Sequence, residues 1–259
     1  MKTYVERHPV AFSLLLALVL FGLWSISMAA LPRTPVSNVA DLPPELRTQL
    51  SDQKRALLAV ASSENLFRVL TILLAVVLLK WLGWWREAGF NRPSRWQNPY
   101  LLLFPLLVAA LTLSGGIRFS GSVFLASLLF GALLTAFSEE VLFRGIMWRA
   151  MVPTGVLRAV VVTSLLSGAL LFGRLALSGP WPEALLVTML AMCAGFTYAV
   201  LRWRTASIWP AVLVHFAFAL AGGVSMLPLV VLVGTLGLVG YGLFLLRRVR
   251  TGGSGSTFC

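Results

Sequence analysis

Charged residues are scarce in this sequence. Asp, Glu, Lys and Arg make up only 12% of its 259 residues, and 58% are hydrophobic, whereas an ordinary globular domain carries about 25% charged residues. This shortage excludes an ordinary soluble domain and indicates an integral membrane protein. At ~20 residues for each membrane helix, a chain of this length has room for roughly eight spans and little else. The expected fold is therefore all-α, a polytopic membrane helix bundle of about eight transmembrane helices.

Cysteine and histidine are also rare, and no Asp follows position 52. Cys193 and Cys259 have the spacing of neither a zinc site nor a disulfide framework. Of the two histidines, His8 and His215, only His215 lies within an apolar span. One intramembrane His with two Glu and no second cluster makes a poor set of metal ligands. We therefore expect no metal and no other cofactor.

The net charge of +12 does not indicate a nucleic-acid partner. The Lys and Arg residues stand one to three at a time between apolar segments, and they do not cluster on one amphipathic face. Such a distribution is typical of membrane topology. The expected environment is the lipid bilayer.

Eight apolar segments are long enough to be read as spans. The first follows a basic start and resembles a signal peptide, but its ~20 apolar residues suit a retained spanning helix better than a cleaved signal. The predicted spans are residues 10–30, 66–85, 99–115, 121–143, 158–178, 183–201, 206–223 and 227–246.

Basic residues are concentrated in alternate loops, which the positive-inside rule assigns to the cytoplasm. Because eight spans return the chain to its starting side, we expect a multi-pass protein of the cell membrane, most simply a bacterial inner membrane, with both termini cytoplasmic. Residues 31–65 are expected to form an extracytoplasmic loop with a helix beginning at Asp41 or at Pro43-Pro44. Residues 248–259 are expected to be a flexible cytoplasmic tail, and residues 1–259 a single transmembrane domain.

A tryptophan-rich segment, "KWLGWWREAGFNRPSRWQNPY", joins the second and third spans. Indole rings favour the depth of the lipid headgroups, and arginines there reach phosphates. We therefore expect residues 80–100 to lie at the membrane interface, with Arg86, Arg92 and Arg95 directed to the headgroups.

Ionisable residues within spans are the strongest candidates for chemistry, because each costs roughly +2.5 to +3.5 kcal/mol to insert. Glu140 and Arg144 are four residues apart, so on a helix they meet as an ion pair. Glu139 is rotated by ~100° and points elsewhere. A carboxylate that faces a cavity of low dielectric can act as a general base on water near neutral pH.

A purely structural interpretation of the same residues stays open. The two acids and Arg144 could form a polar contact between helices or lie at the headgroup boundary. His215 could simply bond to a carbonyl of a neighbouring helix. The presence of all four in one chain favours a site.

Two motifs resemble a known family. "SEEVLFRGIMWRAM" resembles the Glu-Glu-x-x-x-Arg motif of the CAAX protease and bacteriocin-processing (CPBP, or Abi) family of intramembrane glutamate-type endopeptidases, and "TASIWPAVLVHFAFAL" resembles its last motif. The resemblance covers about residues 121–222. It implies that Glu139 activates the attacking water, that Arg144 orients the acidic pair through Glu140, and that His215 stabilises the oxyanion or assists the base. It also implies that the substrate, a membrane protein or peptide, contacts residues including Phe143 and Phe172.

Two positions depart from the family pattern. The middle motif, Phe-x-x-x-His, aligns with "LLFGRLAL", where Ala176 replaces the histidine, and Ala219 replaces the asparagine of the last motif. Arg174 could supply a cation instead, but a helix turns ~200° between positions 174 and 176, so Arg174 is expected to face away from the histidine position.

Two classes of function therefore remain. The first is an intramembrane protease with a rearranged site, and the second is an inactive relative that binds or sequesters a membrane partner. A proton-coupled transporter would also explain buried carboxylates, but the inverted repeats and broken helices typical of transporters are not evident.

Overall fold

The computed structural model of the protein describes residues 2–30, 62–93, 100–113, 122–177, 179–224 and 228–250. The helix predicted within the first loop and the predicted C-terminal tail from residue 251 lie outside these residues. So does Arg95.

The described residues form helices joined by short turns, with no β-strand among them, which confirms the all-α fold class. A short helix, α1, precedes eight long ones, and a π-helix, a short helix α6 and a single 3₁₀ turn follow α5. The bounds are α1 Lys2–Arg7, α2 Pro9–Ala30, α3 Ser63–Leu82, α4 Tyr100–Thr112, α5 Ser122–Glu139, the π-helix Glu140–Met147, α6 Trp148–Met151, the 3₁₀ turn Val152–Thr154, α7 Val156–Ala176, α8 Trp181–Thr205, α9 Trp209–Val224 and α10 Pro228–Arg250.

Each predicted span coincides with one of these helices. Within the described residues, five helical segments are long and apolar enough to cross a membrane, namely Pro9–Ala30, Ser63–Leu82, Leu125–Thr154, Val156–Ala176 and Trp181–Thr205. Three shorter apolar helices accompany them, Leu101–Thr112, Trp209–Gly222 and Leu232–Arg247. Many of their large apolar side chains are exposed, including Leu18 and Val77, as lipid-facing residues are. The protein is a multi-pass membrane protein.

The second span begins earlier than predicted. The Ser62 hydroxyl accepts a hydrogen bond from the backbone N–H of Asn65 (3.3 Å) and caps α3, which starts at Ser63. A Ser cap of this kind satisfies one of the free N–H groups of the first turn. Residues 63–65 therefore belong to the membrane helix and not to the predicted loop, which places Glu64 in its first turn.

The helix that carries the acidic motif changes its winding at the motif. α5 runs to Glu139, where eight residues of π-helix begin. π-Helical turns are rare and occur frequently at functional sites. All eight residues of the π-helix are buried, and it packs against α3, α7 and α8. The acidic motif thus lies at the centre of the bundle.

Arg202, near the end of α8, fixes the π-helix to the interfacial segment. Its Nε donates a hydrogen bond to the backbone carbonyl of Arg144 (3.2 Å), and its Nη2 donates to the carbonyl of Glu87 (3.0 Å). The segment approaches Arg202 closely at Gly89, whose φ is +94°. A Cβ atom at Gly89 would lie 2.7 Å from the guanidinium carbon of Arg202.

Replacing Gly89 by Ala is expected to destabilise the protein more than replacing Gly83. Both glycines have positive φ, but a Cβ at Gly83 meets nothing within 4 Å. In Gly89→Ala the buried guanidinium of Arg202 must also move away from the two carbonyls that it bonds to. This lowers the free energy of unfolding by a further ~1–3 kcal/mol. The free energy of unfolding of the two variants in detergent checks this expectation. Equal decreases in that free energy would contradict it.

Candidate active site

Glu140 is the centre of the candidate site. Its side chain is 0% exposed, and one carboxylate oxygen, Oε1, contacts two other side chains. Arg144 Nη1 lies 3.5 Å away, one turn along the same helix, and His215 Nδ1 on α9 lies 2.9 Å away. The ion pair predicted from the four-residue spacing is therefore present, with Arg144 itself only 1% exposed.

The position of the imidazole differs from the sequence expectation. The family resemblance implied that His215 acts together with Glu139, the proposed base, but the acid that the imidazole contacts is Glu140. The reason is that α9 packs beside α5 and α8 so that His215 faces the side of the helix that carries the ion pair. One buried carboxylate thus holds both the guanidinium and the imidazole.

Tyr198 on α8 completes this group, and sequence reasoning missed it. Its ring stacks on the His215 ring with centroids 4.9 Å apart and an interplanar angle of 19°. The guanidinium carbon of Arg144 lies 5.9 Å from the same ring, within the range of a cation–π interaction. A single Tyr in an apolar span carries no sequence signal for this role. The stacking fixes the plane of the imidazole.

Glu139 faces a different set of charges. Its side chain is 29% exposed, and Oε1 lies 4.0 Å from Nη1 of Arg174 on α7. Sequence reasoning left this carboxylate unpaired, and the structure corrects that expectation. Because Glu139 and Glu140 point to different partners, the predicted division of the two acids is present, with one buried and one partly accessible.

Glu64 anchors Arg174 and is the second residue that the sequence did not reveal. Arg174 Nη2 pairs with Glu64 Oε2, Arg68 Nη1 lies 3.5 Å from the same oxygen, and the indole of Trp24 donates to Glu64 Oε1 at 3.2 Å. With Glu139 the cluster contains two acids and two arginines, so its formal charges balance. Balanced pairs are the form in which charged groups are tolerated inside a membrane protein.

Several polar atoms at the centre make no hydrogen bond within the described residues. They are Glu140 Oε2 and the Nε and Nη2 atoms of Arg144. Gly195 makes room for this guanidinium, because a Cβ there would lie 2.4 Å from Arg144 Nη2. Buried polar atoms of this kind bind water or ligand groups. The arrangement can therefore receive a water molecule.

The remaining predicted residues lie on the π-helix, α7 and α9. Phe143 is fully buried, and its ring centroid is 5.7 Å from the guanidinium carbon of Arg144. Phe172 and Ala176 on α7 and Ala219 on α9 are partly exposed. Among the described residues, no three His, Cys, Asp or Glu side chains come together as a metal site.

Residues 121–221 match the model of a protein family described as Rce1-like, type II CAAX prenyl endopeptidase Rce1-like. The match confirms the resemblance to the CPBP family over nearly the same segment that the motifs indicated, which is less than half of the chain. No curated protein and no solved structure matches the chain.

Replacing Arg144 by Ala is expected to lower the free energy of unfolding by ~3–5 kcal/mol, because it leaves the carboxylate of Glu140 buried without its cation. Arg149→Ala is the matched control, since Arg149 pairs with Glu87 and Glu6 where all three side chains are partly exposed. Such pairs contribute only ~0–1 kcal/mol. Chemical unfolding in detergent measures both variants, and similar losses would contradict the buried role of Arg144.

Proposed function

We propose that this protein is an intramembrane endopeptidase that hydrolyses peptide bonds of membrane-associated peptides or protein tails through a water molecule activated by a glutamate. The observation that carries the proposal is the buried group of Glu140, Arg144 and His215, which lies within the segment that matches the Rce1-like family. The mechanism requires neither a covalent intermediate nor a metal.

Glu139 is the general base in this proposal. It is the more accessible of the two acids, so it can meet both water and substrate, whereas Glu140 is fully enclosed. Arg174, 4.0 Å from Glu139, pairs with this carboxylate and holds its orientation. Arg174 is in turn held by Glu64.

Glu140 and Arg144 act as positioning residues for His215. When His215 Nδ1 donates to Glu140, the second ring nitrogen is the one available to the substrate. Donation from that second nitrogen requires a proton on both ring nitrogens, and Glu140 accepts the one on Nδ1. In that form His215 donates a hydrogen bond to the oxyanion that develops on the scissile carbonyl.

The reaction then runs in two steps. Glu139 takes a proton from water as the water oxygen bonds to the carbonyl carbon, and the resulting oxyanion is stabilised by His215. The tetrahedral intermediate expels the amine, which receives the proton that Glu139 holds. Phe172 contacts the substrate, and Phe143 supports the guanidinium of Arg144.

Arg174 offers partial compensation for the missing histidine of the middle motif. It supplies a cation beside Glu139, although it cannot accept a proton as a histidine can. Losing a donor to the oxyanion typically costs ~10²–10³ in rate, and Ala219 has no amide to donate. We therefore infer a slow enzyme.

Glu139→Gln is expected to abolish cleavage while leaving the fold intact, because glutamine keeps the shape of the side chain and cannot take up the proton. Comparative peptidomics of cells that express the wild-type or the variant protein measures this. Glu183→Gln, at an exposed position at the start of α8, is the control and is expected to leave the products unchanged. Unchanged products with Glu139→Gln would exclude the mechanism.

A second candidate is an inactive relative that binds or sequesters a membrane partner. Two observations favour it, namely the alanines at 176 and 219 and the ion pair that holds Glu139 near Arg174. In this case Glu139 would contribute to a charged cluster that holds α3, α5 and α7 together.

Ala176→His distinguishes the two candidates, since it restores the histidine of the middle motif. In a slow protease the variant is expected to change the amount of products that the wild-type protein already makes. In an inactive relative, products would appear only in the variant. Peptidomics with the same cells gives the answer, and the double variant Ala176→His, Glu139→Gln shows whether new products depend on the acid.

A further inference from the structure

An apolar cavity of about 810 Å³ lies apart from the residues of the candidate active site. Its walls come from α4, α5, α9 and the interfacial segment, and neither Glu140 nor His215 lines it. The residues that matter for its chemistry are Phe90, Arg92, Leu133, Trp209, Leu213 and Phe216. Its volume falls within the ~300–1,000 Å³ range of ligand pockets.

The polar residues of the cavity lie on one segment. Asn91 and Arg92 are consecutive on the interfacial segment, and among the described residues no acidic side chain lines the cavity. The guanidinium of Arg92 belongs to an exposed side chain. The described lining therefore combines an apolar body with the positive charge of Arg92, on the segment that is predicted to lie at headgroup depth.

The cavity is accessible from the hydrocarbon region of the membrane. Leu133, Trp209 and Leu213 line it and are large apolar side chains on the exposed surface of membrane helices. A surface of this kind faces lipid. A molecule can thus enter sideways from the bilayer.

We propose that this cavity binds one acyl chain of an anionic phospholipid, with the lipid phosphate on Arg92. An arginine at headgroup depth attracts the negative phosphate, and its long apolar stem lets it follow the wall of the cavity. The apolar body accepts the hydrocarbon chain by excluding water from both surfaces.

The lining favours an acyl chain over a peptide. A peptide segment in an apolar environment needs partners for its backbone N–H and C=O groups. Among the described lining residues, Asn91 and Arg92 carry the amide and charged side chains, and two others, Pro93 and Pro210, have no backbone N–H. An acyl chain has no backbone N–H or C=O groups and therefore needs no such partners.

The test uses the full-length protein in nanodiscs with trace phosphatidylglycerol or phosphatidylcholine, each carrying a photoreactive group on one acyl chain. Cross-linking is expected on the part of α9 that contains Leu213. Phosphatidylglycerol is expected to label about five-fold more than phosphatidylcholine, because it carries a net negative charge beside the arginine, whereas the choline group neutralises the phosphate of phosphatidylcholine. Arg92→Gln should remove this preference, whereas Arg86→Gln, exposed on the same segment but outside the cavity, should keep it.

A second pair of variants tests the cavity itself. Leu213→Trp fills it and should abolish labelling by both lipids. Leu186→Trp places the same bulk on an exposed position of α8 and should leave labelling unchanged. Equal labelling by the two lipids in the wild-type protein, or an equal effect of Arg92→Gln and Arg86→Gln, would overturn the proposal.

A competition experiment against the photoreactive lipid shows whether the cavity binds a substrate and not a phospholipid. Displacement of the lipid by a prenylated peptide but not by unlabelled phosphatidylglycerol would also overturn the proposal. The result is independent of catalysis, because Glu139→Gln should bind the lipid as the wild-type protein does.

Discussion

The buried carboxylate of Glu140 is the constraint on which the rest of the structure depends. A carboxylate in the interior of a membrane protein requires compensation, and here Arg144 and His215 supply it from two helices. These contacts fix how α9 lies against the π-helix. Tyr198 then closes the group by stacking on the imidazole. The proposed chemistry and the packing of the helices therefore depend on the same few atoms at the centre of the bundle.

The two acids of the motif have different environments although they are adjacent in sequence. Glu140 is enclosed and paired with a guanidinium on its own helix, whereas Glu139 is partly accessible and lies near a guanidinium from α7. The winding changes from α to π between them. A wider helical turn redirects the following side chains, so the local geometry supports the division between a supporting acid and an accessible one.

The sequence predicts the parts of this protein that depend on local pattern. The apolar runs locate every described membrane helix, and the four-residue spacing of Glu140 and Arg144 predicts their ion pair. The π-helix could not be predicted, because it depends on packing against three other helices. The roles of Glu64 and Tyr198 were also missed, since contacts between distant parts of the chain leave no trace in a local spacing.

Arg202 has a consequence for how the tryptophan-rich segment can move relative to the π-helix. Its guanidinium bonds at once to the carbonyl of Arg144, inside the bundle, and to the carbonyl of Glu87, on the tryptophan-rich segment. That segment cannot shift relative to the π-helix unless one of these two bonds breaks. A displacement of the segment would therefore act directly on the backbone that carries the ion pair, so the Arg202 side chain couples the interfacial segment to the centre of the bundle.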